Sequence, residues 1–176
     1  MARGTKGGRS VKNIILIGMM GCGKTTVGKL LSERLGLVLA DTDALIEVRE
    51  GRSIADIFAQ NGEEYFRALE LSVSRELGGK QDMVLACGGG LPLQEEAVRA
   101  LKNSGLVFWL DRDPRETYDC LDVSGRPLAQ AGREDFAARY ERRAPVYRRW
   151  ADHIIRAKNP EDAADIAAEL YQKEKQ

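Results

Sequence analysis

A chain of 176 residues with 43% hydrophobic and 31% charged side chains is long enough to bury the core of one α/β domain. Its formal net charge is zero, which gives no global field for nucleic acid or an anionic membrane. No apolar run reaches the roughly 20 residues of a membrane span.

The basic, glycine-rich stretch Met1 to Lys12 has no apolar segment of the kind a secretion signal carries, and reads as a flexible tail. Asn13 to Gly18 is a short apolar run ending in glycine, as a buried parallel strand does. Lys24 to Leu35 places Val27, Leu30, Leu31 and Leu35 at helical spacing and stops at Gly36. Leu37 to Ala40 is a second strand running into Asp41-Thr42-Asp43. A helix is predicted from Ala44 to Glu50, a second capped by Ser53 through Gln60, and a third from Glu63 to Leu77. Met83 to Cys87 is the third strand, followed by Gly88-Gly89-Gly90. Pro92 to Lys102 reads as helix, Leu106 to Leu110 as the fourth strand, and Arg115 to Leu121 as helix. Residues 122 to 132 read as a loop, and Arg133 to Trp150 as a helix that Pro145 should kink or divide. His153 to Arg156 is a short fifth strand, in which the only histidine is structural. Pro160 to Lys173 is an amphipathic helix. Strands alternating with helices imply one three-layer α/β/α domain with a parallel sheet, whose ligands bind at the carboxyl ends of the strands.

The cysteines Cys22, Cys87 and Cys120 match no metal-ligand spacing, so reduced thiols in a cytoplasm are expected. Gly18-Met19-Met20-Gly21-Cys22-Gly23-Lys24-Thr25, followed by Thr26, fits G-x-x-x-x-G-K-[ST] and stands between a strand and a helix. In this motif the glycines let backbone N–H groups converge on phosphate oxygens, and the helix start adds partial positive charge. Lys24 would reach the β- and γ-phosphates, and the Thr25 hydroxyl would ligate Mg²⁺.

Many chemistries share this loop, so other residues must discriminate. The chain has no N-K-x-D for guanine, and its third strand ends in Cys87 and glycines rather than a Walker-B aspartate. A small kinase with a small acceptor fits. If Asp41-Thr42-Asp43 is extended, both carboxylates face the strand-end cleft, one to support Mg²⁺ and the other to take an acceptor proton. The alternative is that either merely caps the next helix. Asp111 and Asp113 form a rival pair, for which capping before Pro114 is favoured. Gly88, Gly89 and Gly90 offer close backbone approach. Arg67 and Arg143 can each bind a carboxylate bidentately, and Arg126 in the loop can close over ATP; each is otherwise a solvated arginine.

Together these residues resemble the shikimate kinases, from Asn13 to about Asn159. The resemblance rests on Gly18 to Gly28, Asp41-Thr42-Asp43, Ile54 to Phe58, Gly62-Glu63, Phe66-Arg67 with Glu70, Gly88-Gly89-Gly90, Arg126-Pro127-Leu128, and Arg143-Ala-Pro-Val-Tyr147. It implies a five-stranded parallel sheet in order 2-3-1-4-5 and transfer of the ATP γ-phosphate to the shikimate 3-hydroxyl, in chorismate biosynthesis. It also implies site roles. Asp43 would bind shikimate and act as base; Arg67, Arg143 and Gly88 to Gly90 would hold the acceptor; Asp41 would support magnesium. Gly21, Cys22, Gly23, Lys24, Thr25 and Thr26 would hold nucleotide, with Arg126 as lid arginine over about 122–132 and Lys158 on the adenine side. The chain departs from the pattern at Thr42, where Ser is common. It departs again at Tyr118-Asp119-Cys120, which lacks an adenine-side arginine, and at Ala129, where a second Leu is usual. A monomer with no nucleic-acid or membrane partner is expected. Rival readings are another small-acceptor kinase, such as a gluconate kinase, and a regulator that binds nucleotide without catalysis.

Overall fold

The computed structural model describes residues 12–121 and 132–175. The tail expected over residues 1–12 therefore lies outside it except for Lys12, and residues 122–131 of the expected lid, with Arg126, lie outside it too. Among the described residues there are five strands: β1 (Asn13–Ile17), β2 (Val38–Asp41), β3 (Met83–Ala86), β4 (Gly105–Leu110) and β5 (His153–Ile155). The α-helices are α1 (Lys24–Leu35), α2 (Thr42–Glu50), α3 (Ile54–Gly78), α4 (Glu95–Lys102), α5 (Pro114–Asp119), α6 (Arg133–Trp150) and α7 (Pro160–Glu174).

All pairings are parallel, in the expected order β2-β3-β1-β4-β5. The central strands are apolar because both faces are covered. Along β1 the side chains alternate between two cores. Ile15 and Ile17 join Leu85, Val107 and Trp109 under α3, α4 and α6. Ile14 and Leu16 join Val84, Phe108 and Leu110 under α1 and α7. Each fully buried aliphatic side chain contributes about 1.5–3 kcal/mol. Asn13 is the polar exception inside β1. It is wholly buried, and its side chain donates to the Lys80 carbonyl (2.8 Å) and accepts from the Met83 amide (3.0 Å), pinning the amino ends of the strands.

Three local expectations are corrected. α2 begins at Thr42, not Ala44, because Asp41 caps it, so Asp41-Thr42-Asp43 is not an extended run. The segment expected as one helix from Pro92 is a 3₁₀ turn (Leu91–Leu93) and then α4, with Gln94 between them in extended conformation. Of the two effects expected of Pro145, division does not occur: α6 runs from Arg133 to Trp150 with the proline inside it. It sits on the exposed side of the helix. Other caps match the sequence: Ser53 accepts from the Asp56 amide, and Asp113 from Arg115 and Glu116 ahead of Pro114. The two helices expected around Gly62 form α3, interrupted where Gly62 takes φ 79° and ψ 179°, a conformation only glycine holds without strain. His153 stacks on Phe108 with ring centroids 5.0 Å apart, a packing role.

Candidate active site

The carboxyl ends of β1, β2 and β3 bring the phosphate loop, the Asp41–Asp43 segment and the glycine run to one edge of the sheet. The loop turns through Gly18, Gly21 and Gly23 at positive φ. Gly23 precedes α1 without any side-chain cap, leaving the first N–H groups of the helix available to an anion. The Lys24 ammonium is buried within the loop, donating to the carbonyls of Gly18 (3.0 Å) and Met19 (2.8 Å) and lying 3.8 Å from the Cys22 sulfur. Gly21, Thr25 and Thr26 are exposed at its mouth.

Asp41 divides its carboxylate between two tasks. Oδ1 accepts from the amides of Asp43 (3.1 Å) and Ala44 (3.2 Å), so the capping alternative holds for this residue. Oδ2 accepts from Thr25 Oγ1 at 2.7 Å. Capping and support of the loop threonine therefore coexist.

Asp43, in the first turn of α2, still faces the glycine run, but through the helix turn rather than an extended strand. Its Oδ1 is shut off from solvent and has no hydrogen-bond partner. Burial above all, then the charges of Glu70 and Asp41, push its carboxyl up to about 7, with Lys24 pulling the other way. A carboxylate kept near neutrality is suited to accept a proton.

The glycine run makes room for its neighbours. A Cβ on Gly88 would strike Asp43 Oδ1, and one on Gly90 would stand 2.7 Å from Arg67 Nη1. Gly88→Ala is therefore expected to displace the Asp43 carboxylate and, with the role the family resemblance implies for Asp43, to lower kcat by on the order of a hundredfold, with thermal stability and ATP KM little changed. Steady-state kinetics with both substrates varied checks this.

Arg67 is not a free surface arginine. It donates to Glu63 Oε1 (2.9 Å) and Glu70 Oε2 (2.6 Å), and Glu70 also accepts from Gln94 Nε2 at 2.7 Å. Burial holds the Glu70 carboxyl above its usual range despite Arg67 and Gln94. The Glu70 and Gln94 contacts were not assigned from sequence, although Glu70 is three residues from Arg67, a helix-face spacing. Arg143, half-buried on α6, donates to the Gly89 carbonyl at 3.3 Å, and Tyr147 donates to the same oxygen at 2.7 Å. Burial pushes the Tyr147 phenol up to about 12, so it remains a donor.

Asp111 does not cap, contrary to expectation for its pair. It is buried at the end of β4, accepting from Tyr140 (2.6 Å) and Arg156 (2.8 Å), and ties α6 to β5. Lys158 is exposed, and its carbonyl accepts from Arg112 at 3.3 Å. Its neighbours Ala157 and Asn159 line a small hollow with Cys22 of the phosphate loop. Among the described residues, no group of three or more His, Cys, Asp or Glu could hold a metal ion, and no helix is long and apolar enough to cross a membrane.

The model of the shikimate kinase family matches residues 20–174. The chain belongs to the shikimate kinase family. A shikimate kinase of Symbiobacterium thermophilum is 41% identical over 168 residues, covering 92% of this chain and 95% of that protein. The structure of shikimate kinase from Acinetobacter baumannii in complex with shikimate superposes with a TM-score of 0.84 at 36% identity, covering 93% of this chain and 92% of the other. That of the shikimate kinase from Aquifex aeolicus gives 0.80 at 36% identity, covering 92% and 96%. The described residues thus share the fold of those two enzymes.

Proposed function

We propose that the strand-end cleft brings ATP and shikimate together, with the phosphate loop and Asp41 on the donor side and Asp43, Arg67, Gly88 to Gly90 and Arg143 on the acceptor side. Family membership makes the chain an ATP-dependent kinase acting on shikimate, a step of aromatic amino-acid biosynthesis. The observation that carries the residue assignment is the Asp43 carboxylate, seated on Gly88 with one oxygen buried and unpartnered.

The shikimate 3-hydroxyl oxygen attacks the γ-phosphorus in line. The bond to the β–γ bridging oxygen breaks, ADP leaves, and the hydroxyl proton passes to Asp43. Asp43 orients the hydroxyl, and the arginines Arg67 and Arg143 hold the substrate carboxylate. Lys24 leaves its loop carbonyls for the phosphates and neutralises the transferring group. Backbone N–H groups from Gly21 to Thr26, including those of Cys22 and Gly23, cradle the polyphosphate. Magnesium favours few protein ligands and hard oxygen donors, so Thr25 Oγ1 and Asp41 Oδ2 fit it, and when bound it would offset charge on the β- and γ-phosphates. Lys158 is assigned to the adenine side. Arg126 is assigned to the γ-phosphate from its place in Gly125-Arg126-Pro127-Leu128 alone, within a lid over about 122–132 of one domain from residue 13 to 176. We read the protein as a cytoplasmic monomer without nucleic-acid or membrane partners, on its zero net charge and reduced-thiol cysteine pattern.

A coupled ADP-release assay tests the function. ADP formation is expected with shikimate and not with gluconate or with ATP alone. Release with gluconate only would favour the other small-acceptor kinase, and none with any acceptor would favour a non-catalytic regulator.

A further inference from the structure

The glycine run carries no side chain of its own, yet it must hold a fixed position against Asp43, Arg67 and the phosphate loop. Two buried hydroxyls from different elements grip its backbone. Thr42 Oγ1 accepts from the Gly88 amide at 2.9 Å, and the Tyr147 hydroxyl donates to the Gly89 carbonyl at 2.7 Å. Both residues are 0% exposed, so neither is placed to touch a substrate. Thr42 lies directly before Asp43, in the same helical turn that Asp41 caps. Its hydroxyl therefore fixes the glycine run relative to the carboxylate that rests on Gly88. Tyr147 lies one helical turn after Arg143, on the same face of α6, and both reach Gly89. Its oxygen is also 3.5 Å from the Met19 sulfur, and the Met19 carbonyl holds Lys24. Tyr147 thus touches the acceptor glycines and the donor loop at once.

We propose that Thr42 and Tyr147 are positioning residues for phosphoryl transfer: a pair of buried hydroxyls that sets the glycine run against Asp43 on one side and against the phosphate loop on the other. The proposal rests on the acceptor-site reading given above. Neither hydroxyl takes part in bond making. Each acts through the backbone it holds, and a displacement of well under 1 Å at reacting groups is enough to be read kinetically, since about 1 Å costs on the order of a hundredfold.

The test compares Thr42→Val, Thr42→Ser, Tyr147→Phe and Arg67→Ala by steady-state kinetics with ATP and shikimate varied separately, each variant first checked for a cooperative thermal transition. Thr42→Val and Tyr147→Phe keep side-chain shape and remove only the hydroxyl. They are expected to lower kcat/KM for shikimate roughly five- to twentyfold per folded enzyme, through both a lower kcat and a raised shikimate KM, with the ATP KM within twofold of the parent. Thr42→Ser, which restores the hydroxyl, is expected to restore the shikimate KM to within twofold. A role in stability alone would lower the active fraction and leave both KM values where they were, which would overturn the proposal. So would a Thr42→Ser enzyme as impaired as Thr42→Val, or parallel changes in both KM values. If Thr42→Val does not fold, Tyr147→Phe decides by the same criteria. A raised shikimate KM in Arg67→Ala without one in the hydroxyl variants refutes the clamp and leaves the acceptor site standing. An unchanged KM in Arg67→Ala refutes the acceptor site itself.

Discussion

Asp43→Asn is expected to lower kcat by about a thousandfold at pH 8, with the ATP KM nearly unchanged, because the amide can still orient a hydroxyl but cannot take its proton. The pH dependence supplies an independent signature. Asp43 is held at about 7 by burial and by Glu70 and Asp41, so kcat/KM for shikimate in the parent enzyme should fall tenfold per unit below about pH 7. The Asn variant should lose that limb. Stability should move the opposite way to activity. A carboxyl raised above its ordinary 3.8 favours the folded state below that value, and the contribution is lost as pH rises through about 7. Above pH 7 the folded parent therefore carries a buried charge that the Asn variant does not. Asp43→Asn should melt higher than the parent at pH 8, with the gap closing toward pH 4. A variant with kcat within threefold of the parent would remove Asp43 from the base role.

Arg67→Ala should raise the shikimate KM by roughly a hundredfold while ATP binding persists, the loss of one partly buried, charge-assisted pairing to a carboxylate. The structure adds a cost that the sequence did not show. Glu70 has 1% of its side chain exposed and depends on Arg67 and Gln94 for its partners. Removing the guanidinium leaves a buried carboxylate with an amide alone, so the Ala variant should also lose thermal stability at pH 8. That loss should shrink as pH falls and Glu70 takes up a proton, because its carboxyl, already raised by burial, loses the cation that lowers it. Adding Glu70→Gln to Arg67→Ala should recover much of the stability and none of the shikimate affinity. Calorimetry on the pair reads the part of Arg67 in the fold, and kinetics the part proposed for it in holding the substrate carboxylate. Recovery of both would mean that the arginine serves only the fold.

The layers and the phosphate loop were legible in the sequence because their signals are local, whereas the strand order followed only from the family resemblance. Apolar runs such as Ile14 to Ile17 mark strands covered on both faces, and Gly18 to Thr25 is a complete motif in its proper context. Because the Asp41–Asp43 segment follows a strand, its sequence admits an extended run as well as a helix cap, and nothing local chooses between them. Asp41 starts α2, since its side chain satisfies two helix amides that would otherwise have no partner. Asp43 reached the cleft by a different geometry than the one that suggested it. Partners distant in sequence were not legible at all. The Asp111 contacts to Tyr140 and Arg156 span 29 and 45 residues, and no periodicity reports such pairs. Tyr147 had a signal, its helical spacing from Arg143, but spacing cannot reveal that both side chains end on Gly89.

The Lys24 ammonium tied to the Gly18 and Met19 carbonyls bears on how the enzyme spends binding energy. With its own cation threaded through it, the phosphate loop keeps its turn before any anion arrives. With the role proposed for Lys24, nucleotide entry is an exchange of partners for one lysine, carbonyl for phosphate, rather than the ordering of a slack loop. Exchange carries little entropic penalty but forfeits part of the attraction between ammonium and phosphate. The consequence expected of that proposed role is a donor site of moderate ground-state grip, with the full strength of the lysine held back for the charge that builds up as the phosphoryl group moves.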